Sequence, residues 1–302
     1  MQRNEKLSFL CTLLLFPSYC FCTDLRVIVK KMKGSYQMKK LLLLEWKKLK
    51  APVLLSLIVS IIVMVILTCT LYKQYSLEYD LEAWELANEY FTFFFPLLVV
   101  IPTCWLFYYE RKNHFIMYTL PRVNKRDYLL SKWIVIAGSA FLLLFFTMIA
   151  GVIAALYIKP DITPFLSMVD PVTGERVSQV KITHYLPVLF TENPLLYGLL
   201  FSIWRGLLGI IIATMGFVLS LFSRNIFIIL SGPFIYYILE NYLLSILQIP
   251  QYRFVTAFEP RSLSFADISP YAVLAGPGIA ILFILAVYYY FAKIKKQTIY
   301  PS

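Results

Sequence analysis

Two ionisable side chains, Arg205 and Glu240, interrupt otherwise apolar runs of this 302-residue chain. By the ~1.5 Å helical rise per residue, both fall roughly 12–14 Å from the same end of their runs. Intramembrane charges are rare, costly and usually paired, so the spacing predicts an Arg205–Glu240 bridge, either locking two helices together or lining a path. The second group with chemical potential is the polar stretch 110–132, ERKNHFIMYTLPRVNKRDYLLSK. Asn113 is positioned to cap a short turn carrying Phe115, Ile116 and Tyr118, and Pro121 ends that turn. Asn124 then opens the next helix, with Asp127 favourable near its N-terminus. A short, partly apolar helix between charged flanks is a surface suited to a protein partner or to phospholipid headgroups.

Other chemistry is missing from the sequence. No G-x-x-x-x-G-K-[ST] is present to cradle nucleotide phosphates. His114 and His184 are the only histidines, no H-E-x-x-H occurs, and the five cysteines show no metal or disulfide spacing. No catalytic, cofactor or metal site is expected on this chain. A first acidic cluster, Glu78, Asp80, Glu82, Glu85 and Glu89, reads as a solvated flank or as a rim attracting a cationic peptide.

The elements that must position these residues are six apolar runs, at about 52–72, 90–109, 133–158, 197–223, 226–249 and 271–292. Each reaches the roughly 20 residues that span a ~30 Å hydrocarbon core, and without water each must hydrogen-bond within itself as a helix. The composition agrees, with 60% hydrophobic residues and a mean hydropathy of +0.71. The expected fold is an all-α polytopic membrane protein.

From Met38 onward, fifteen Lys and Arg fall on one side of the six runs and only six on the other. The positive-inside bias therefore predicts both termini in the cytoplasm, with 110–132 an inner loop and 73–89, 159–196 and 250–270 outer loops. The formal charge of +11 is then largely an inner-leaflet feature, and no segment is large enough to form a basic soluble face for nucleic acid. Segment 38–51 interleaves leucines and lysines and reads as an interfacial helix with Trp46 at the boundary, ahead of a transmembrane domain over 52–292 and a tail over 293–302. Residues 1–37 have a charged start and a short apolar stretch like a secretory signal but no A-x-A-like site, so Met38 reads better as the start of an inner-membrane protein.

The order of elements, together with an E-R-x…T-L-P-x-x-x-x-R-x-x-x-x-S-K pattern on Glu110, Arg111, Thr119, Leu120, Pro121, Arg126, Ser131 and Lys132, resembles the ABC-2 type permeases of ATP-binding-cassette exporters. More loosely, it resembles the branch serving bacteriocin or lantibiotic immunity and antimicrobial peptide export. The resemblance implies that loop 110–132 docks on a separate ATPase subunit and that 38–51 is the connecting helix. Two permease copies would work with two ATPase copies, and ATP and Mg would be bound by those partners. It also implies short re-entrant helices within 250–270, where Arg253, Glu259, Arg261 and Asp267 are costly to bury. Two other classes remain open on the residues: a non-transporting scaffold or sensor using the same loop, and an ATP-independent ion or proton carrier using Arg205 and Glu240.

Overall fold

The computed structural model describes residues 5–113, 124–166, 168–169, 176–178, 180, 184–223, 225–259 and 270–294, with side chains from 38 onward except at 168, 169, 177 and 270. Helix α1 runs Glu5–Leu71 and closes in a 3-10 turn, Tyr72–Gln74. Helix α2 is Glu82–Lys112, and α3 is Lys125–Ile153, extended by one π-helical turn, Ala154–Ile158. A two-residue antiparallel pair, β1 (Met168–Val169) and β2 (Arg176–Val177), precedes the short α4 (Pro187–Glu192). Then come α5 (Pro194–Phe222), α6 (Ile226–Ile246), a 3-10 turn Pro250–Tyr252, the five-residue α7 (Phe254–Phe258) and α8 (Pro270–Tyr289) with a final π turn, Tyr290–Ile294.

Among the described residues, six helices are long and apolar enough to cross a membrane, and each overlaps one of the six expected runs; the first, Met38–Gln74, also takes in 38–51, so the expected interfacial helix is continuous with the first span. They form a bundle in which α5 is the most enclosed helix, packed on α3, α2, α6 and α8, while α1 and α6 turn most of their surface outward. In water so many exposed Leu, Ile and Phe would aggregate, whereas in lipid they meet a solvent as apolar as themselves. Glycines set the closest approach of α3 and α5. A Cβ at Gly198, Gly206 or Gly209 would come within 2.7 Å of the side chains of Val152, Phe141 or Leu144. Such close backbones are how membrane helices associate without a hydrophobic drive between them.

Helix α6 stops three residues short of the expected run. Gln248 takes φ 58°, its N–H bonds to Ser245 O, and Ile249 N–H bonds back to Leu244 O. These are the two bonds of a left-handed helix stop, made here with glutamine where glycine is usual. Pro250 follows and prevents the helix resuming. The chain then folds back, so that Phe254, Ala257 and Phe258 are fully buried. Phe258 and Phe254 stack on Phe95 of α2, with ring centroids 4.5 and 5.9 Å apart.

Gly276 of α8 makes room for this return. A Cβ there would lie 2.6 Å from the Phe254 backbone nitrogen and 2.7 Å from Arg253 C, and backbone cannot step aside as a side chain end can. The small-residue spacing Ala272, Gly276 and Ala280 thus serves a contact within the chain. Gly276→Ala is expected to destabilise the protein by about 1–3 kcal/mol, the usual range for overpacking, read as a lowered melting temperature in detergent. Gly278→Ala, where a Cβ meets nothing within 4 Å, is the matched control and leaves it unchanged.

Candidate functional site: the stems of loop 110–132

The described parts of loop 110–132 are its two stems, the end of α2 and the start of α3. Phe115, Ile116, Tyr118 and Pro121 lie outside the described residues. Asn124 sits at the N-cap of α3, but its side chain makes no cap bond. Its Nδ2 donates instead to Asp127 Oδ2 at 3.4 Å, leaving its backbone carbonyl to accept from Tyr128 N–H at 3.0 Å. Arg126 is exposed on the first turn of α3.

Between the stems lies an ionic cluster. Glu110, 7% exposed at the end of α2, accepts from Lys48 Nζ at 2.7 Å and from the Tyr128 hydroxyl at 2.8 Å, and pairs with Lys132. Lys132, 2% exposed on α3, also reaches Glu45 Oε2 of α1 at 2.6 Å. Lys48 closes the ring to Glu45 at 3.1 Å, one helical turn away. Two carboxylates face two ammonium groups, so the cluster is neutral and each buried charge has partners of opposite sign. That is the condition under which burial of charge is tolerated. The Lys132 ammonium lies 4.9 Å from the Tyr128 ring centroid and 5.9 Å from that of Phe107, and these rings keep water from it.

The geometry follows from the helices. Glu45 and Lys48 share one face of α1 at i, i+3, and Tyr128 and Lys132 share one face of α3 at i, i+4. Higher up, Ser60 Oγ and Thr147 Oγ1 meet at 2.7 Å with the same sequence offset of 87 as Glu45 and Lys132. The two helices therefore run parallel and in constant register. Arg111, next to Glu110, points the other way. Its Nη1 donates to Leu221 O at 2.7 Å, and its Nη2 contacts Ser223 O. A cation on the last carbonyls of α5 complements the negative end of that helix dipole. Two consecutive residues thus tie one stem to α1 and α3 on one side and to the α5 terminus on the other.

Arg205 and Glu240 are both buried, but they do not meet. Arg205 Nε donates to Phe258 O at 3.0 Å, and its guanidinium lies 4.4 Å from the Trp84 ring centroid and 5.1 Å from that of Phe258. Glu240 accepts the Phe254 N–H at 3.0 and 3.2 Å through its two oxygens. Helix α7 therefore lies between them, with the carboxylate at its positive end and the guanidinium at its negative end. Trp204 Nε1 takes a second carbonyl of the same end, Ala257 O, at 2.7 Å. The predicted bridge is replaced by a short helix whose unpaired backbone groups the two charges satisfy. Arg253, one of the four charges in 250–270 expected to be costly to bury, bonds Asn241 Oδ1 at 3.2 Å and Ser245 Oγ at 3.1 Å on α6.

The first acidic cluster is a solvated flank only in part, at the exposed Glu89. Glu78, Glu82 and Glu85 are 7%, 9% and 5% exposed. Glu78 accepts from Ser178 Oγ at 2.6 Å, Glu82 Oε2 from the Glu78 N–H at 2.9 Å, and Glu85 meets His184 Nε2 at 2.8 Å. Asp80 pairs with Lys159. These bonds fasten Lys159, Ser178 and His184 to the start of α2 and the turn before it.

Glu45, Lys48 and Tyr128 were not among the sequence candidates. One signal did point to Glu45: it is the sole acid in MKKLLLLEWKKLK, and a carboxylate on a helix meant to lie on anionic headgroups needs a cationic partner. No curated protein and no solved structure matches the chain. Over residues 41–190, just under half of its length and including every member of the ionic cluster, the chain is similar to the ABC-2 family transporter proteins, whose family model matches there and supports an ABC-2 type permease.

Proposed function

We propose that this chain is the membrane-spanning permease subunit of an ATP-binding-cassette exporter, working as a dimer with two copies of a separate ATPase that binds ATP and Mg. Loop 110–132 is the docking element, and both termini lie on its side of the plasma membrane. The observation that carries the reading is the clamping of both loop stems. Glu110 and Lys132 bind each other and α1, and Arg111 binds the end of α5, so a push on the loop moves four spanning helices, α1, α2, α3 and α5, as one body. Transport then follows from closure of the ATPase pair, transmitted as rigid-body movement to a path between two permease copies. The cargo class that the family resemblance favours is an antimicrobial peptide, drug or lipid-like molecule.

Purification of the tagged chain in mild detergent, with mass spectrometry of what accompanies it, tests this reading. A stoichiometric P-loop ATPase is expected, lost on Phe115→Asp or Tyr118→Asp. Recovery of the chain without any ATPase, under conditions that keep the bundle folded, would contradict the proposal and favour a scaffold.

A further inference from the structure

Beside the ionic cluster, Leu42, Leu43 and Trp46 face Ile134, Val135, Gly138, Ser139 and Leu142 of α3 across a groove of about 320 Å³. Its floor is open, because a Cβ on Gly138 would meet nothing within 4 Å. At ~100° per residue, Lys39 and Lys50 fall on the same stripe of α1 as these lining residues, one turn before and one turn after them, and Lys47 borders the stripe. All three are exposed and form no ion pair among the described residues. One acid, Asp127, lies on the matching face of α3, seven residues before Ile134, and it is engaged by Asn124.

An apolar channel framed by three unpaired ammonium groups is complementary to a molecule with a hydrocarbon tail and an anionic head. Water is a poor occupant, because the lining offers almost nothing to hydrogen-bond. A zwitterionic lipid would fill the groove but leave the lysines with no net charge to meet. The geometry points to a site for one anionic phospholipid, with an acyl chain between α1 and α3 and its headgroup in the field of Lys39, Lys47 and Lys50. Lysine stems are long enough to reach a headgroup from positions along the groove wall. Bound there, the lipid fills the gap between α1 and α3 beside Glu45–Lys132 and helps hold the two helices together. This site follows from the groove and its charges and does not depend on the ATPase.

Native mass spectrometry of the delipidated full chain tests the site, by titration with phosphatidylglycerol or phosphatidylcholine of identical acyl chains. Phosphatidylglycerol is expected to bind about tenfold or more tightly, since each lysine near an anionic headgroup contributes to attraction. Lys39→Gln/Lys47→Gln/Lys50→Gln is expected to remove that preference while leaving phosphatidylcholine binding unchanged. Gly138→Leu, whose Cβ meets nothing within 4 Å and whose side chain would fill the floor, is expected to weaken both lipids. Equal binding of the two lipids to the unaltered chain, or a preference that survives the triple change, would overturn the assignment and leave only annular lipid. Gly138→Cys forming a disulfide between two copies in membranes would overturn it in favour of a protein–protein face.

Discussion

Lys132→Met is expected to destabilise the protein by about 3–5 kcal/mol, the range seen when one member of a buried ion pair is removed and its partner stays charged. The Lys132 ammonium is 2% exposed and serves both Glu45 and Glu110, which are 3% and 7% exposed. Without it, Lys48 alone faces two carboxylates, and Lys48 lies at the wet edge, its side chain 33% exposed. The methionine has nearly the same volume, so lost packing contributes little and the effect reports charge. Thermal unfolding in detergent measures it, with Lys48→Met as a comparison expected to show a clearly smaller loss. Adding Glu45→Gln to Lys132→Met returns the cluster to one anion and one cation and is expected to recover part of the stability. A Lys132→Met protein that melts with the wild type would show that the cluster holds nothing together.

Arg205→Met is expected to cost about 3 kcal/mol, from a charge-assisted hydrogen bond to Phe258 O and the guanidinium's contact with Trp84. The loss falls on α7, a helix of five residues that cannot hold itself folded. A cysteine placed at Ala257, buried in the wild type, is expected to react with a membrane-impermeant maleimide only when Arg205 is replaced. The double change Arg205→Met/Glu240→Gln separates the two arrangements of these charges. A direct ion pair predicts rescue, because neither charge is left alone. Charges at opposite ends of α7 predict no rescue, because each loses its own backbone partner. Protection of the cysteine in the double variant would contradict the placement of α7 between them.

The six spans were legible because long apolar runs admit only one structure in lipid. Glu110 and Arg111 were legible as the start of the loop pattern, but their partners were not. Pairing of Glu110 with Lys48 joins residues 62 apart and depends on the register of α1 against α2, and pairing of Lys132 with Glu45 joins residues 87 apart and depends on that of α1 against α3. Arg205 and Glu240 were matched by depth alone. Depth cannot reveal that Phe254–Phe258, too short to span anything, turns back between their helices. Glu78, Glu82 and Glu85 misled for a different reason. Five acids in twelve residues look solvated, yet Ser178 and His184, about a hundred positions away, bury two of them. In each case what the sequence withheld was a long-range partner, and what it disclosed was the local cost of leaving a group without one.

Loop 110–132 is proposed as the surface where an ATPase subunit binds, and a photocrosslink from its exposed stem reads that contact in the cell. A benzophenone amino acid replaces Arg126, cells are irradiated, and the adducts are identified by mass spectrometry. One dominant protein adduct is expected, an ATPase carrying a P-loop, that disappears when Phe115 and Tyr118 are both replaced by aspartate. Adducts with lipid alone, in cells where the chain is folded and its partners are present, would contradict it.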